Sequence, residues 1–148
     1  MRWLLVVGAA LALVPAASGG LPNPCALLTD VEAGKALGGK VSDRSPRSDR
    51  SSRTCTWSGP NQGGFFQNRP TLTVQVIRLT KAQFEHGAER TTHAVRVRGV
   101  GEVAYSIYMG GGFLYAWQHG YSLFVAISPA TDPIATETSV AKIIVKRL

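Results

Sequence analysis

The stretch NPCALLTDVE (residues 23–32), together with TCTW (residues 54–57), decides the fold of this 148-residue chain. Thr29 is followed three residues later by Glu32, and this capping box predicts a helix that runs to about Leu37. Two glycines come next, and glycine readily adopts the left-handed conformation that ends a helix. The predicted buried residues of this helix are Val31, Ala36 and Leu37.

The first twenty residues have the pattern of a secretory signal peptide. Arg2 precedes an apolar run of twelve residues, WLLVVGAALALV, and residues 15–20 (PAASGG) supply the small side chains of a cleavage site after Ser18 or Gly19. An uncleaved membrane anchor is the alternative, but twelve residues are too few to span a bilayer core of about 30 Å. We therefore predict a secreted protein without a stable membrane anchor, with a signal peptide at 1–20 and one domain at 21–148.

Export directs the interpretation of the two cysteines, Cys25 and Cys55. Two cysteines in an exported chain usually pair, so we predict one disulfide that holds the N-terminal helix against the strand carrying Trp57. Lipid modification of Cys25 is the alternative, but residues 22–24 (PNP) replace the small or aliphatic residues that such a signal needs. A zinc site is disfavoured because the chain has no CxxC or HxxxH pattern.

Alternating and helical patterns predict the rest of the fold. TLTVQVIRL (residues 71–79) alternates as a half-buried antiparallel strand does, and three later strands with short links form a C-terminal meander within residues 99–128. A second capping box at Thr80 begins a helix with Phe84 and Ala88 on its inner side. Asp132 and Pro133 begin the last helix. The predicted fold is α+β: an antiparallel sheet of five to six strands with N-terminal, middle and C-terminal helices packed on it.

Charge and aromatic residues indicate two candidate binding regions. The formal net charge is +7, or +6 once Arg2 is removed, and a basic exported protein suits an anionic polymer or lipid, whereas export argues against nucleic acid. Residues 40–53 (KVSDRSPRSDRSSR) are predicted to form a solvated loop, or alternatively a cationic contact site. The candidate binding residues are Arg44, Arg47 and Arg50 of this loop, and Trp57, Tyr105, Tyr108, Tyr115 and Trp117 of the sheet. The aromatic residues form either the core or a ligand-facing surface.

No catalytic or metal-binding motif is found in the sequence. There is no nucleophile elbow, zinc-protease helix or phosphate-binding loop. The helix-start acids Asp30, Glu32, Asp132 and Glu137 are explained by capping and by the helix dipole. An enzyme would need one of His86, His93 or His119 beside an acid such as Glu102. We therefore expect no catalytic residues, no metal and no cofactor.

The chain resembles a family of small exported proteins and lipoproteins of actinobacteria. The resemblance rests on the opening NPCALLTDVEA (residues 23–33), on TCTW (residues 54–57) and on VRGVGEVAY (residues 97–105), which match a D/N-P-C-x-L-L-T opening, a C-x-W/Y strand and a G-x-G-[DE]-x-A segment. The resemblance implies export, a Cys25–Cys55 disulfide and an α+β domain. It implies no activity, since the family is largely of unknown function. Many members carry a lipid-attachment signal, which this chain lacks.

These observations favour a non-catalytic binding or interaction module of the cell envelope or the extracellular space. Its partner would be an anionic envelope polymer, a small ligand or another envelope protein. Two alternatives remain open, an extracytoplasmic hydrolase-like enzyme with a histidine–acid pair and a structural accessory domain without a ligand.

Overall fold

A seven-stranded antiparallel sheet forms the centre of the computed structural model, which describes residues 20–63, 69–109, 111–129 and 132–148. Apart from Gly20, the predicted signal peptide lies outside these residues. The strands are β1 (Asp43–Ser48), β2 (Ser52–Ser58), β3 (Thr71–Arg78), β4 (Val95–Arg96), β5 (Val103–Tyr108), β6 (Gly112–Gln118) and β7 (Tyr121–Ser128). Their order in the sheet is β1-β2-β3-β7-β6-β5-β4. The α+β prediction and the meander β5-β6-β7 are confirmed, with more strands than the five to six predicted.

Four helices flank the sheet in the described part of the chain. They are α1 (Pro24–Leu27), α2 (Asp30–Ala36), α3 (Lys81–Glu89) and α4 (Pro133–Val145). The predicted capping boxes of α2 and α3 and the Asp132 cap of α4 are all present, whereas the short helix α1 was not predicted. Helices α1, α2 and α4 cover one face of the sheet, and α3 lies on the opposite face, which we call the open face. Within the described ranges, none of the helices has the length and apolar character that crossing a bilayer requires.

The prediction that the Arg-rich segment forms a loop is wrong, because residues 43–48 form the edge strand β1. Every side chain of β1 is exposed, so no apolar alternation marks it as a strand. The backbone N–H of Asp49 donates to the Ser52 carbonyl (3.0 Å). Hydrogen-bonded pairs alternate along an antiparallel pair of strands, so the N–H and C=O groups of Arg47 also point towards β2. Pro46 then falls at an outward-facing position, where its missing N–H breaks no bond within the sheet.

The disulfide and Trp57 form the centre of the N-terminal half of the core. Cys25 and Cys55 are bonded, with Cα atoms 5.3 Å apart, which confirms the predicted pairing. Cys55 and Trp57 share the helix-covered face of β2 and are fully buried. The Trp57 indole Nε1 donates to Asp30 Oδ1 (3.1 Å) at the first residue of α2. Helix α2 is therefore fixed to β2 by a covalent bond close to its start and by a hydrogen bond from a buried ring.

One prediction for α2 is wrong: the side chain of Val31 is 71% exposed. The helix packs through Leu37, as predicted, and also through Ala33 and Gly34. The lack of a side chain at Gly34 allows the segment that follows α2 to pack closely against the helix. A Cβ added at Gly34 would lie 2.6 Å from the Gly39 carbonyl oxygen.

The last turn of the chain is tied to the first helices by Arg147. Its guanidinium donates from Nη2 to Glu32 Oε1 (2.7 Å), and from Nη1 to Glu32 Oε2 and the Leu27 carbonyl (both 2.8 Å). The hydrogen bond from Arg147, followed by that from the Thr29 backbone, lowers the pKa of Glu32 to about 2. Glu32, a residue of the capping box of α2, thus also binds Arg147 at the C-terminal end of the chain. Its local sequence does not reveal this second role.

Replacing Gly112 with alanine should destabilise the protein by about 1–3 kcal/mol or more, because the new methyl group overpacks the contact between β6 and α4. A Cβ at this position would lie 2.6 Å from Pro133 Cβ and 3.0 Å from Glu137 Oε2. Gly111→Ala is the matched control, since a Cβ there meets no atom within 4 Å. Urea denaturation measures both variants, and equal stability of the two would refute this account of the β6–α4 contact.

Candidate functional site

A cleft of about 340 Å³ lies between α3 and the open face of the sheet. Its floor consists of side chains from β3, β5, β6 and β7, namely Ile77, Tyr105, Ile107, Tyr115 and Phe124. Its wall is the inner side of α3, with Phe84, Gly87 and Ala88. Most of this surface is apolar or aromatic, as is usual for small-molecule sites.

The aromatic floor follows from the register of four adjacent strands. Gln75 of β3 lies opposite Phe124 of β7, which lies opposite Tyr115 of β6, which lies opposite Tyr105 of β5. Directly opposed residues of antiparallel strands point to the same face, so these four side chains form one row across the sheet. The rings of Tyr115 and Phe124 have centroids 5.1 Å apart, within the range of favourable aromatic pairs.

The cleft is open because α3 contacts the sheet mainly through one large side chain. Phe84 is the only buried residue among the nine of α3, and its ring lies 6.1 Å from that of Tyr105. One turn further on, the helix presents Gly87 and Ala88, and a Cβ added at Gly87 would meet no atom within 4 Å. A large residue followed by two small ones therefore holds the helix at one point and leaves a space beside it.

The described residues that line the cleft carry no charged side chain. The polar groups are the amides of Gln75 and Gln83 and the hydroxyls of Thr91, Ser122 and the two tyrosines. Gln75 is oriented by its Nε2, which donates to Ser52 Oγ (3.2 Å). Burial raises the pKa of Tyr115, so its hydroxyl stays neutral and can donate a hydrogen bond. The site therefore fits a mainly apolar molecule with few hydrogen-bonding groups.

No protein-family model, curated protein or solved structure matches this chain. The resemblance to exported actinobacterial proteins thus stays a prediction that rests on its three motifs.

The predicted aromatic site residues are placed in three different environments. Tyr105 and Tyr115 lie together in the cleft. Trp117 lies on the same face but outside the cleft, and its Nε1 donates to the Leu79 carbonyl (2.8 Å). Tyr108 is 65% exposed at the end of β5. It lies three residues after Tyr105, so its side chain points to the opposite face of the sheet. Trp57 is fully buried on the opposite face, which contradicts its place among the predicted binding residues.

The three predicted arginines do not form one site. Arg44 lies opposite Trp57 on the helix-covered side and donates to Asp30 Oδ1 (3.2 Å). Arg47 lies opposite Thr54, in the row that continues to Gln75 and therefore on the open face. Arg50 is exposed in the turn between β1 and β2. A spacing of three places successive side chains on opposite faces of a strand, so the segment does not present a single cationic surface.

The histidines and acids considered for an enzyme do not meet in the cleft. None of the described residues that line it is a histidine or an acid. Glu102 Oε1 accepts a hydrogen bond from the backbone N–H of His119 (3.4 Å), whereas the His119 ring contacts the side chain of Gln118. Among residues 20–63, 69–109, 111–129 and 132–148 there is no group of three or more metal-ligating side chains.

Several cleft residues were not predicted from the sequence. Phe124 alternates with the core residues Leu123 and Val125, and an aromatic side chain on the otherwise polar side of a strand was the available signal. Ile77 gives the same signal on β3. The assembly of these residues with Tyr105 and Tyr115 depends on the order of the strands, which the sequence pattern does not specify.

Glu137 also differs from its prediction as a helix-start acid. The residue is fully buried, and its Oε1 accepts the backbone N–H of Ile127 (3.1 Å), near the point where β6 and β7 separate. Its Oε2 has no hydrogen-bond partner among the described residues. Burial raises the pKa of Glu137 to about 7. Val140 and Ile144 follow it at helical spacing, so Glu137 continues the apolar stripe of α4.

Proposed function

We propose that this protein is an exported, non-catalytic binding module that holds a small, mainly apolar molecule in the cleft between α3 and the open face. The observation that carries the proposal is the uncharged, aromatic-floored cleft of about 340 Å³. This volume is within the range of about 300–1,000 Å³ that is typical of small-molecule sites. Burying an apolar ligand there would remove both the ligand and the exposed parts of the rings from water.

Export is supported by two independent features of the chain. The first twenty residues have the composition of a signal peptide, and a disulfide joins Cys25 to Cys55. Disulfides persist mainly in oxidising compartments outside the cytosol. An apolar carrier or sensor outside the cytosol would have direct access to molecules of the envelope.

The cleft favours a small ligand over the two other partners predicted from the sequence. An anionic polymer would need a continuous cationic surface, but Arg44 and Arg47 point to opposite faces and Arg44 is paired with Asp30. An enzyme would need reactive groups around its ligand, and the described lining offers hydroxyls and amides without a neighbouring acid or histidine. A purely structural role gives no account of a cleft floored by aromatic rings.

Filling the cleft from α3 tests the proposal. The Ala88→Phe variant places a ring in the space beside Phe84, and we expect it to weaken binding of Nile red, a neutral apolar dye, at least tenfold. Ala82→Phe is the matched control, because Ala82 is exposed on the same helix and does not line the cleft. Dye fluorescence gives the affinities, and thermal unfolding verifies that both variants fold. Equal binding by the wild type and the two variants, or no binding by any of them, would overturn the proposal.

A further inference from the structure

The side-chain amide of Gln75 is held in one orientation by a chain of hydrogen bonds that begins outside the cleft. The Ser52 hydroxyl donates to Asp49 Oδ2 (2.7 Å), and the Ser52 oxygen accepts a hydrogen bond from Gln75 Nε2 (3.2 Å). Asp49 lies in the turn between β1 and β2, Ser52 begins β2, and Gln75 lies on the neighbouring strand β3. The chain therefore connects a charged group in a turn to the floor of the cleft.

The carboxylate of Asp49 fixes the direction of this chain. The hydrogen bond from the Ser52 hydroxyl, followed by those from the backbone N–H groups of Ser51 and Ser52, lowers the pKa of Asp49 to about 2. The ionised carboxylate can only accept, so the single hydroxyl proton of Ser52 is used for Asp49. The Ser52 oxygen is left as an acceptor. Only the NH₂ group of Gln75 can face it, because Oε1 in that place would put two acceptors together.

This orientation leaves Oε1 of Gln75 as the amide atom directed away from Ser52. Gln75 is part of the lining of the cleft, whereas Ser52 is not. No residue that the structure describes donates a hydrogen bond to this oxygen. The cleft therefore contains an acceptor that cannot become a donor. A ligand that covers this oxygen without supplying a hydrogen leaves it unpaired, at a cost in binding free energy.

The other polar groups of the cleft are either already bonded or able to adapt. Oε1 of Gln83 accepts from the backbone N–H and the hydroxyl of Thr80 (both 3.0 Å), and the Thr91 hydroxyl donates to the Gly87 carbonyl (2.9 Å). The hydroxyls of Ser122 and of the two tyrosines can each donate or accept. The amide oxygen on β3 is thus the group that restricts which ligands fit.

We infer that the cleft binds a neutral alcohol or phenol whose hydroxyl group donates to Gln75 Oε1 and accepts from Ser122 Oγ. This inference rests on the proposed function, because it requires that the cleft bind the apolar part of the molecule. Phe124 lies directly opposite Gln75, and Ser122 comes two residues before Phe124, so Ser122 is a diagonal neighbour of Gln75 on the same face. A hydroxyl group between them satisfies both side chains, whereas a ketone or an ether supplies no hydrogen to Gln75.

Thymol, thymol methyl ether and para-cymene test the inference. They share one hydrocarbon skeleton and carry a hydroxyl group, a methoxy group and a hydrogen atom, respectively, at the same position. We expect titration calorimetry to show that thymol binds about fivefold or more tightly than either of the other two. The Gln75→Met variant should lose this preference and bind para-cymene as the wild type does, because methionine fills a similar space without a carbonyl oxygen.

A second variant tests the chain of hydrogen bonds rather than the acceptor itself. Ser52→Ala frees the Gln75 amide to turn its NH₂ group towards the ligand, where it can donate to an ether oxygen. We expect the preference for thymol over its methyl ether to fall about threefold or more, although Ser52 does not line the cleft. Thr73→Val is the matched control. It removes a hydroxyl from the same face of β3, where Thr73 contacts Thr56 (3.3 Å) outside the cleft, and it should leave the preference unchanged.

The outcomes separate this inference from the proposed function. Equal binding of the three probes, or binding of Nile red without binding of thymol, would overturn the inference and leave the proposed function standing. A preference for thymol that persists in Gln75→Met, or an equal loss in the Thr73→Val control, would also overturn it. If Gln75→Met does not fold, the wild-type preference and its reduction in Ser52→Ala decide the question. Failure of Nile red and of all three probes to bind would overturn both proposals.

Discussion

Replacing Cys25 and Cys55 together with alanine should lower the free energy of unfolding by about 3.5–4 kcal/mol. The two residues are 30 positions apart, and the disulfide restricts the unfolded chain by closing a loop of this length. The loop contains α2, β1 and the first half of β2. A cross-link around so much of the N-terminal half should therefore have the largest effect on stability of any single feature described. Guanidinium denaturation followed by tryptophan fluorescence gives the measurement.

The wild type under a thiol reductant is the control for the cysteine variant. Cys55 is fully buried, so alanine also removes a sulfur atom from the core, whereas reduction leaves both sulfur atoms in place. We expect reduction to give most of the loss and the double variant to give somewhat more. A reduced wild type as stable as the oxidised protein would contradict the stabilising role of the disulfide.

Replacing Glu137 with glutamine should raise the free energy of unfolding by up to about 3 kcal/mol above neutral pH, and by little at about pH 4. Burial raises the pKa of Glu137 in the folded protein from 4.5 to about 7. Between these two values the unfolded chain releases its proton before the folded protein does. The stability that the buried neutral acid contributes is therefore fully present below about pH 4.5 and is lost as the pH rises through about 7.

Glutamine keeps the shape of the side chain and the oxygen that accepts the Ile127 N–H, but it cannot acquire a negative charge. Denaturant unfolding at several pH values measures the difference between the variant and the wild type. Glu89→Gln is the control for the loss of one carboxylate, because Glu89 lies at an exposed position of α3. A stability difference for Glu137→Gln that does not change with pH would show that the carboxyl group does not titrate in the folded state.

The cleft illustrates how far the sequence predicts a site. Tyr105 and Tyr115 were predicted as candidate ligand contacts because tyrosine suits polar-rimmed sites, and both line the cleft. Phe124 was not predicted, although it lies opposite Tyr115 and completes the aromatic row. Alternation along one strand shows which residues share a face, but only pairing between strands shows which residues of different strands lie together.

The Arg-rich segment was predicted as a loop from its composition, but residues 43–48 form strand β1 in the folded protein. Nothing in β1 is buried, so its strand conformation comes from hydrogen bonds to β2 rather than from an apolar face. Pro46 and the polar side chains would stop a central strand, but an edge strand tolerates them and is protected by them from pairing with other chains. The same conformation separates Arg44 from Arg47.

By itself, the sequence determined the local features of this protein: the two capping boxes, the Asp132 cap, the alternating strands, the meander and the pairing of its two cysteines. These depend on hydrogen bonds and side-chain periods that span a few residues, or on the presence of only two thiols. Tertiary structure alone decided the burial of Glu137, the hydrogen bond from Trp57 to Asp30 and the cleft under α3. Each of these depends on which residues of distant segments meet, and that is fixed by strand order and register.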